Sequence, residues 1–150
     1  MFNKSLTRDE LQQKIAGHFP KTFTKSMASA TISNPQVVLE ENENRVGLLA
    51  EVEVKIPIIG TRKGNLGITG KPYLDPERRA VLLLSPKITQ LEVPGLEEKW
   101  KEPLCKAAEV GLTSLLQAIP IIELDDKELK YRMINSVKVE NGKLLVGFGL

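Results

Sequence analysis

The feature that most constrains the fold is a long run in which apolar side chains recur at every second position, from Arg45 to Ile59. A period of two predicts an antiparallel strand with one buried face and one solvated face. At about fifteen residues, the strand would be roughly 50 Å long if straight, so it must twist and bend. Pro57 predicts an edge or a bulge near its end. The buried face of this strand is expected to carry Val46, Leu48, Ala50, Val52, Val54, Ile56 and Ile58.

The segments around this strand predict an antiparallel meander. Further strands are expected at Thr31–Glu40, Asn65–Tyr73 and Ala80–Val93, with an interruption of the last one near Pro86. The intervening turns are expected at residues 41–44, 60–64 and 75–78, where glycine, proline and short polar residues are concentrated. Residues 121–124 predict one more short strand, and residues 125–133 predict a helical turn. Asn141-Gly142 lies between two alternating segments and predicts a C-terminal hairpin.

Two segments have helical periodicity. Thr7-Arg-Asp-Glu10 has the form of a capping box, and the short helix that it begins ends before Pro20. From Glu97 to Ile119 the apolar positions cover so much of the circumference that this helix is expected to be largely enclosed by other structure. Pro103 predicts either a kink or the true start of this long helix.

Composition excludes several classes of protein. The chain has 150 residues, of which 41% are hydrophobic and 27% charged, with a net charge of +2. These values favour one globular domain spanning residues 1–150, and they do not suggest disorder or nucleic-acid binding. No apolar run is long enough for a membrane span and no signal peptide is visible, so the chain is expected to be cytoplasmic or to have lost a leader. Strands followed by a helix favour an α+β fold with an antiparallel sheet.

Residues that carry chemistry are sparse. The single histidine, His18, and the single cysteine, Cys105, belong to different helical segments, and together they are too few for a zinc site. No Gly-x-Ser-x-Gly motif is present. Gly60–Gly70 has four glycines beside Arg62 and Lys63, but its setting favours a hairpin over a phosphate-binding loop. The sequence therefore predicts a protein that is not an enzyme and has no cofactor or metal.

Several segments resemble the YceB family of bacterial envelope lipoproteins, whose function is unknown. The resemblance covers nearly the whole chain and is carried by structural motifs: Leu6–Leu11, Val46–Ile59, Ala80–Leu84, the helix with Pro103-Leu104, Leu115–Pro120 followed by Leu124, and Val137–Phe148. The family is similar to the tubular lipid-binding (TULIP) fold. The resemblance therefore implies a curved antiparallel sheet, made of the four-strand meander plus the C-terminal hairpin, wrapped around a long helix. It also implies a periplasmic protein held to the membrane by a lipidated N-terminal cysteine, which this chain lacks.

Two functional hypotheses follow. In the first, the chain binds a lipid or fatty acid, with an acyl chain held in an apolar groove between the long helix and the concave sheet. The expected lining residues are Val46, Leu48, Val52, Val54, Ile56, Trp100, Leu104, Leu115 and Ile119. In the second, these residues fill a dry core, and the chain is a non-catalytic interaction module of the periplasm that binds an envelope protein, for example by strand addition.

Overall fold

A computed structural model describes residues 2–25, 27–75, 77–78, 80–123 and 133–149. Within these residues the chain forms nine strands and two helices. The helices are α1 (Arg8–Ala16) and α2 (Glu98–Gln117). The strands are β1 (Phe2–Thr7), β2 (Lys21–Lys25), β3 (Ala28–Glu40), β4 (Arg45–Ile56), β5 (Gly60–Asp75), β6 (Ala80–Glu92), β7 (Ile122–Glu123), β8 (Met133–Glu140) and β9 (Lys143–Gly149).

Most of the strands belong to a six-stranded antiparallel sheet in the order β2-β3-β4-β5-β6-β7. Its centre is β4, where every second side chain is buried, as the sequence predicts. The predicted end of this strand and the turn that follows it are wrong. Strand β4 ends at Ile56, the turn occupies residues 57–59, and residues 60–64 are already part of β5. The interruption predicted near Pro86 is confirmed by a shift in the β5–β6 register, with Ser85 at a φ of 50°.

Helix α1 packs against β3, where the strand bulges between Ser33 and Gln36. The bulge leaves backbone groups without partners in the ladder. The Gln12 side chain replaces the missing donor and the missing acceptor. Its Nε2 donates to the Pro35 carbonyl at 2.6 Å, and its Oε1 accepts from the Val37 amide at 2.7 Å. The predicted capping box of α1 is confirmed, because the Thr7 and Glu10 side chains and backbones bond reciprocally.

A second sheet has three strands in the order β1-β9-β8, so the first and last strands of the chain are neighbours. The predicted Asn141-Gly142 hairpin is confirmed between β8 and β9. Asn44, in the turn after β3, connects this sheet to the larger one. Its amide nitrogen donates to the Val137 carbonyl at 3.2 Å, and its amide oxygen accepts from the Val139 N–H at 2.6 Å.

The predicted architecture, a curved sheet wrapped around a long helix, is wrong. The protein does combine helix with antiparallel sheet, but the strands form two sheets, and α2 has 20 residues lying against one side of the larger sheet. Its fully buried side chains form one row at four-residue spacing, and Val110 on the outer side is 71% exposed. The buried row of α2 is Leu104, Ala108, Leu112 and Leu116. The additional apolar residues widen the stripe without being enclosed, because none of the described strands covers the outer side.

The chain returns to the larger sheet directly after α2. The strand predicted near Ile121 is confirmed as β7, which pairs with Ala80 and Val81 of β6. The Arg78 side chain donates to the Gln117 carbonyl at the end of α2. Residues 124–132, which include most of the predicted helical turn, and Arg79 lie outside the described residues.

Candidate functional site

The nine predicted groove residues all belong to, or pack against, one apolar core to which α2 and both sheets contribute. The β4 members Val46, Leu48, Val52, Val54 and Ile56 are between 1% and 4% exposed. Of the others, Leu104 and Ile119 are buried, whereas Trp100 and Leu115 are half-buried and pack against the same core.

The space between these residues is almost filled. A cavity of about 20 Å³ remains between α2 and the sheet. It borders Val52, Val54, Leu104 and Cys105. That volume is about the minimum that holds one water molecule. An acyl chain would therefore have to displace core side chains or lift α2 before it could enter.

A much larger space lies on the other side of α2, next to β2. This open groove has a volume of about 830 Å³, within the usual range for ligand sites. Its floor combines the Phe23 ring with the outer side of α2 at Pro103, Ala107, Val110 and Gly111. The remaining lining residues are Thr22, Thr24, Lys25, Glu98, Lys99, Glu102 and Lys106. We call this space the β2–α2 groove.

Helix α2 and strand β2 come unusually close at one point of the groove. A Cβ atom added to Gly111 would lie 2.1 Å from Cδ1 of Phe23, closer than real Cβ atoms come to other heavy atoms. Glycine thus lets the Phe23 ring pack directly on the helix backbone, and Phe23 is only 9% exposed. Phe23 and Gly111 both line the groove, so this contact forms part of its wall.

The wall of the groove formed by β2 is an unpaired strand edge. Strand β2 is the last strand of the sheet and pairs only with β3 among the described residues. Lys25 and Ala28 close the β2–β3 hairpin across a two-residue loop, so they are expected to exchange both backbone hydrogen bonds. Because bonded and non-bonded pairs alternate, Phe23 also bonds to β3, and the backbone groups of Thr22 and Thr24 point to the open edge.

The rim of the groove carries both signs of charge. The ammonium of Lys106 lies 3.1 Å from the Glu102 carboxylate, and that of Lys99 lies 3.5 Å from Glu97. These exposed pairs contribute little to stability. The rim can therefore contact both positive and negative groups of a bound molecule. Lys21 and Lys25 at the ends of β2 are the kind of residue that keeps an exposed edge from pairing non-specifically.

The potentially reactive residues form no catalytic arrangement in this structure. His18 is exposed beyond the end of α1, and Cys105 is half-buried on α2. Burial raises the pKa of the Cys105 thiol, and the Glu109 carboxylate raises it further, against an opposing effect of Lys101. A raised pKa lowers the fraction of reactive thiolate. Among the residues described, no three His, Cys, Asp or Glu side chains are grouped so that they could hold a metal ion.

Sequence reasoning missed the β2–α2 groove. The segment Lys21–Lys25 is too short, with one apolar side chain, to show the alternation of a strand. Gly111 was included in the apolar stripe of the long helix, although a glycine inside a helix is itself a signal of close packing. Of the predicted residues, none lines this groove.

Over the described residues, the fold and the groove define an α+β domain with two antiparallel sheets, two helices that contact the larger sheet, and an open strand edge beside α2. The chain belongs to the family described as protein of unknown function DUF1439, whose model matches residues 6–143. No curated protein matches the chain. Over the described ranges, neither helix is both long enough and apolar enough to cross a membrane.

Proposed function

We propose that this chain is a non-catalytic interaction module of the bacterial cell envelope that binds an extended peptide segment in the β2–α2 groove. The observation that carries the proposal is the unpaired edge of β2 alongside a groove with an apolar floor. In strand addition, backbone hydrogen bonds to an open edge supply affinity, and pockets for alternate side chains supply specificity. The groove offers both features.

The backbone groups and side chains that line the groove agree with this mode of binding. Outward backbone groups at Thr22 and Thr24 are enough to pair with a short segment of a partner strand. Side chains on one side of that segment would then lie over Phe23, Ala107 and Val110, and polar side chains would meet the charged rim. A partner segment with apolar residues at every second position fits this arrangement best.

The placement in the cell envelope rests on the resemblance to YceB-like lipoproteins, which supports a periplasmic protein held to a membrane by a lipidated cysteine outside this chain. The fold does not support the tubular lipid-binding part of that resemblance, because α2 lies against one side of the larger sheet and is not wrapped by it.

A substitution on the open edge tests the proposal. Thr24→Pro removes an outward-facing N–H group without breaking the β2–β3 ladder, and proline is tolerated at such edge positions. Peptides selected from a random-peptide display library against the wild-type protein should bind Thr24→Pro at least about tenfold more weakly, about 1.4 kcal/mol. Thr24→Ala is the matched control, because it shortens the same side chain but keeps the N–H, and it should bind nearly as well as wild type.

Two results would contradict this proposal. One is a set of selected peptides that bind wild type and Thr24→Pro equally well. The other is loss of binding in Thr24→Ala as well, since that would assign recognition to the side chain rather than to the strand edge. Unfolding curves of both variants, followed by the fluorescence of the single tryptophan Trp100, establish that they are folded.

A second candidate is the binding of a lipid or fatty acid by the core residues. The cavity beside Val52, Val54 and Leu104 is lined almost entirely by apolar side chains, which favours an apolar occupant if α2 can move away from the sheet. Native mass spectrometry tests this candidate. An added mass that extracts as a phospholipid or fatty acid would support it, and a clean apo mass after incubation with lipid vesicles would reject it.

A further inference from the structure

Two hairpin turns lie side by side at one end of the six-stranded sheet. Lys25 of β2 is opposite Ala28, Ser29 of β3 is opposite Lys55 of β4, and Lys55 is opposite Thr61 of β5. The β2–β3 and β4–β5 turns therefore project beyond the same end of the sheet, next to each other because β3 and β4 are neighbours.

Each of these turns presents a large apolar side chain to solvent. Met27 is 81% exposed, Ile58 is 107% exposed, and the adjacent Ile59 is 41% exposed. Surface apolar residues are common singly, but three at adjacent turns form a patch that needs an explanation. We call Met27, Ile58 and Ile59 the apolar tips.

The backbone at the tips is strained as well. Met27 has a φ of 71° and Ile58 a φ of 75°, in the left-handed region that a β-branched residue rarely adopts. Packing does not compensate for this strain, since both side chains project into solvent. Glycine or asparagine would fit these two positions better. Tight hairpin turns require a positive φ at such positions, so the chain has a large apolar side chain where a smaller polar residue or glycine would be less strained.

Four cations lie in the strand ends next to the apolar tips. We call these residues, Lys25, Lys55, Arg62 and Lys63, the basic collar. Arg62 is held at this end by donating to the carbonyl oxygen of Gly95, in the loop before α2. The nearest carboxylate on these strands is Glu53, which lies 3.6 Å from Lys55 and 3.9 Å from Lys63.

Among the other described acidic groups near this end, Glu92 at the end of β6 lies opposite Asn65 of β5, and two at the start of α2 have cationic partners. Glu97 and Glu98, at the start of α2, pair with Lys99 and Lys101 at 3.5 Å and 3.0 Å. Two carboxylates, Glu53 and Glu92, thus stand against the four cations of the basic collar, and among the described residues this end of the sheet has a net positive charge.

We propose that this end of the sheet docks on the surface of an anionic lipid bilayer. The apolar tips would enter the boundary between headgroups and acyl chains, and the basic collar would contact lipid phosphates. Short apolar projections surrounded by lysine and arginine are the combination that binds such a surface through both burial and charge. The proposal is independent of peptide binding, because it uses a different set of observations.

Vesicle flotation with the whole chain tests this proposal. Wild type should float with vesicles of phosphatidylglycerol mixed with phosphatidylcholine, less with phosphatidylcholine alone, and less at high salt, because salt screens the collar. The double variant Met27→Asn and Ile58→Gly should reduce the bound fraction at least about fivefold, since it removes two apolar side chains. Both replacements accept a positive φ, so the variant should keep the fold, and an unfolding curve followed by Trp100 fluorescence verifies this.

Leu49→Thr is the matched control. Leu49 is 51% exposed in the middle of β4, away from the tips, and its replacement should leave flotation unchanged. In a second arm, Lys55→Gln together with Lys63→Gln should abolish the preference for phosphatidylglycerol and weaken the salt dependence.

Three results would overturn the docking proposal: no flotation of wild type with anionic vesicles, equal flotation of the tip variant, or equal loss in Leu49→Thr. Thr24→Pro should bind vesicles as wild type does, so a failure of the peptide proposal and a failure of this one are distinguishable.

Discussion

The contact between Gly111 and Phe23 predicts that a substitution which usually stabilises a helix will destabilise this protein. Replacing a glycine inside a helix by alanine normally stabilises the helix by about 1 kcal/mol. In α2 the added Cβ would lie 2.1 Å from Cδ1 and 2.2 Å from Cε1 of Phe23. We therefore expect Gly111→Ala to destabilise the protein.

The magnitude follows from what the Phe23 ring must do. The ring is 9% exposed, and it can avoid the new methyl group only by turning out into the β2–α2 groove. Loss of a buried phenylalanine costs about 1.5–3 kcal/mol. Subtracting the gain in helix propensity of about 1 kcal/mol leaves a net destabilisation of about 0.5–2 kcal/mol.

Urea unfolding followed by Trp100 fluorescence measures this change. Gly17→Ala is the matched control, because Gly17 ends α1 at a φ of −63° and an added Cβ would meet only the Gln13 carbonyl at 3.9 Å. That variant should be neutral or slightly stabilising. In a Phe23→Leu background the cost of Gly111→Ala should fall, since the two residues are in contact. If Gly111→Ala stabilised the protein by about 1 kcal/mol in the wild-type background, α2 would not lie against Phe23.

Two further predictions concern the bulge in β3 and the thiol of α2. Gln12→Leu leaves the Pro35 carbonyl and the Val37 amide without their side-chain partners and should lower the free energy of unfolding by about 1–3 kcal/mol, whereas Gln13→Leu on the exposed side of α1 should change it little. Because burial and Glu109 raise the pKa of Cys105, its alkylation by iodoacetamide should be slower at pH 8 than in the urea-unfolded protein, with the rate profile displaced to higher pH. Equal rates in both states would contradict the burial of that thiol.

The sequence predicted best what depends on local pattern. The alternation in β4, the capping box of α1 and the Asn141-Gly142 hairpin all rest on neighbouring residues, and all are present. The turn after β4 was misplaced for a physical reason. Gly64 was interpreted as a turn residue, but it lies within β5, where an added Cβ would be 1.9 Å from the Glu92 carbonyl oxygen.

Elements that depend on distant partners were not predictable in the same way. Strand β1 is paired through Phe2–Thr7 with β9, at the opposite end of the chain, and little in its own sequence indicates this. The width of the apolar stripe on α2 predicted an enclosed helix, yet Val110 is mostly exposed. Periodicity indicates which side chains can be buried, but not how many sides of a helix other elements will cover.

The candidate site could also be predicted only where it depends on local pattern. Alternation identified the inward side chains of β4, and Val52 and Val54 do border the cavity beneath α2. Whether inward faces enclose a groove or a filled core depends on the summed volumes of side chains from both layers, and pattern does not contain that information. The β2–α2 groove requires the approach of Gly111 to Phe23, a contact between residues far apart in the sequence.

Amide hydrogen exchange of β2, with and without a selected peptide, tests the central proposal most directly. In the free protein the N–H groups of Thr22 and Thr24, which point to the open edge, should exchange quickly, and that of Phe23, which bonds to β3, should exchange slowly. Strand addition predicts that the bound peptide strongly protects Thr22 and Thr24 and changes Phe23 little. A peptide that binds tightly while Thr22 and Thr24 continue to exchange quickly would contradict the account.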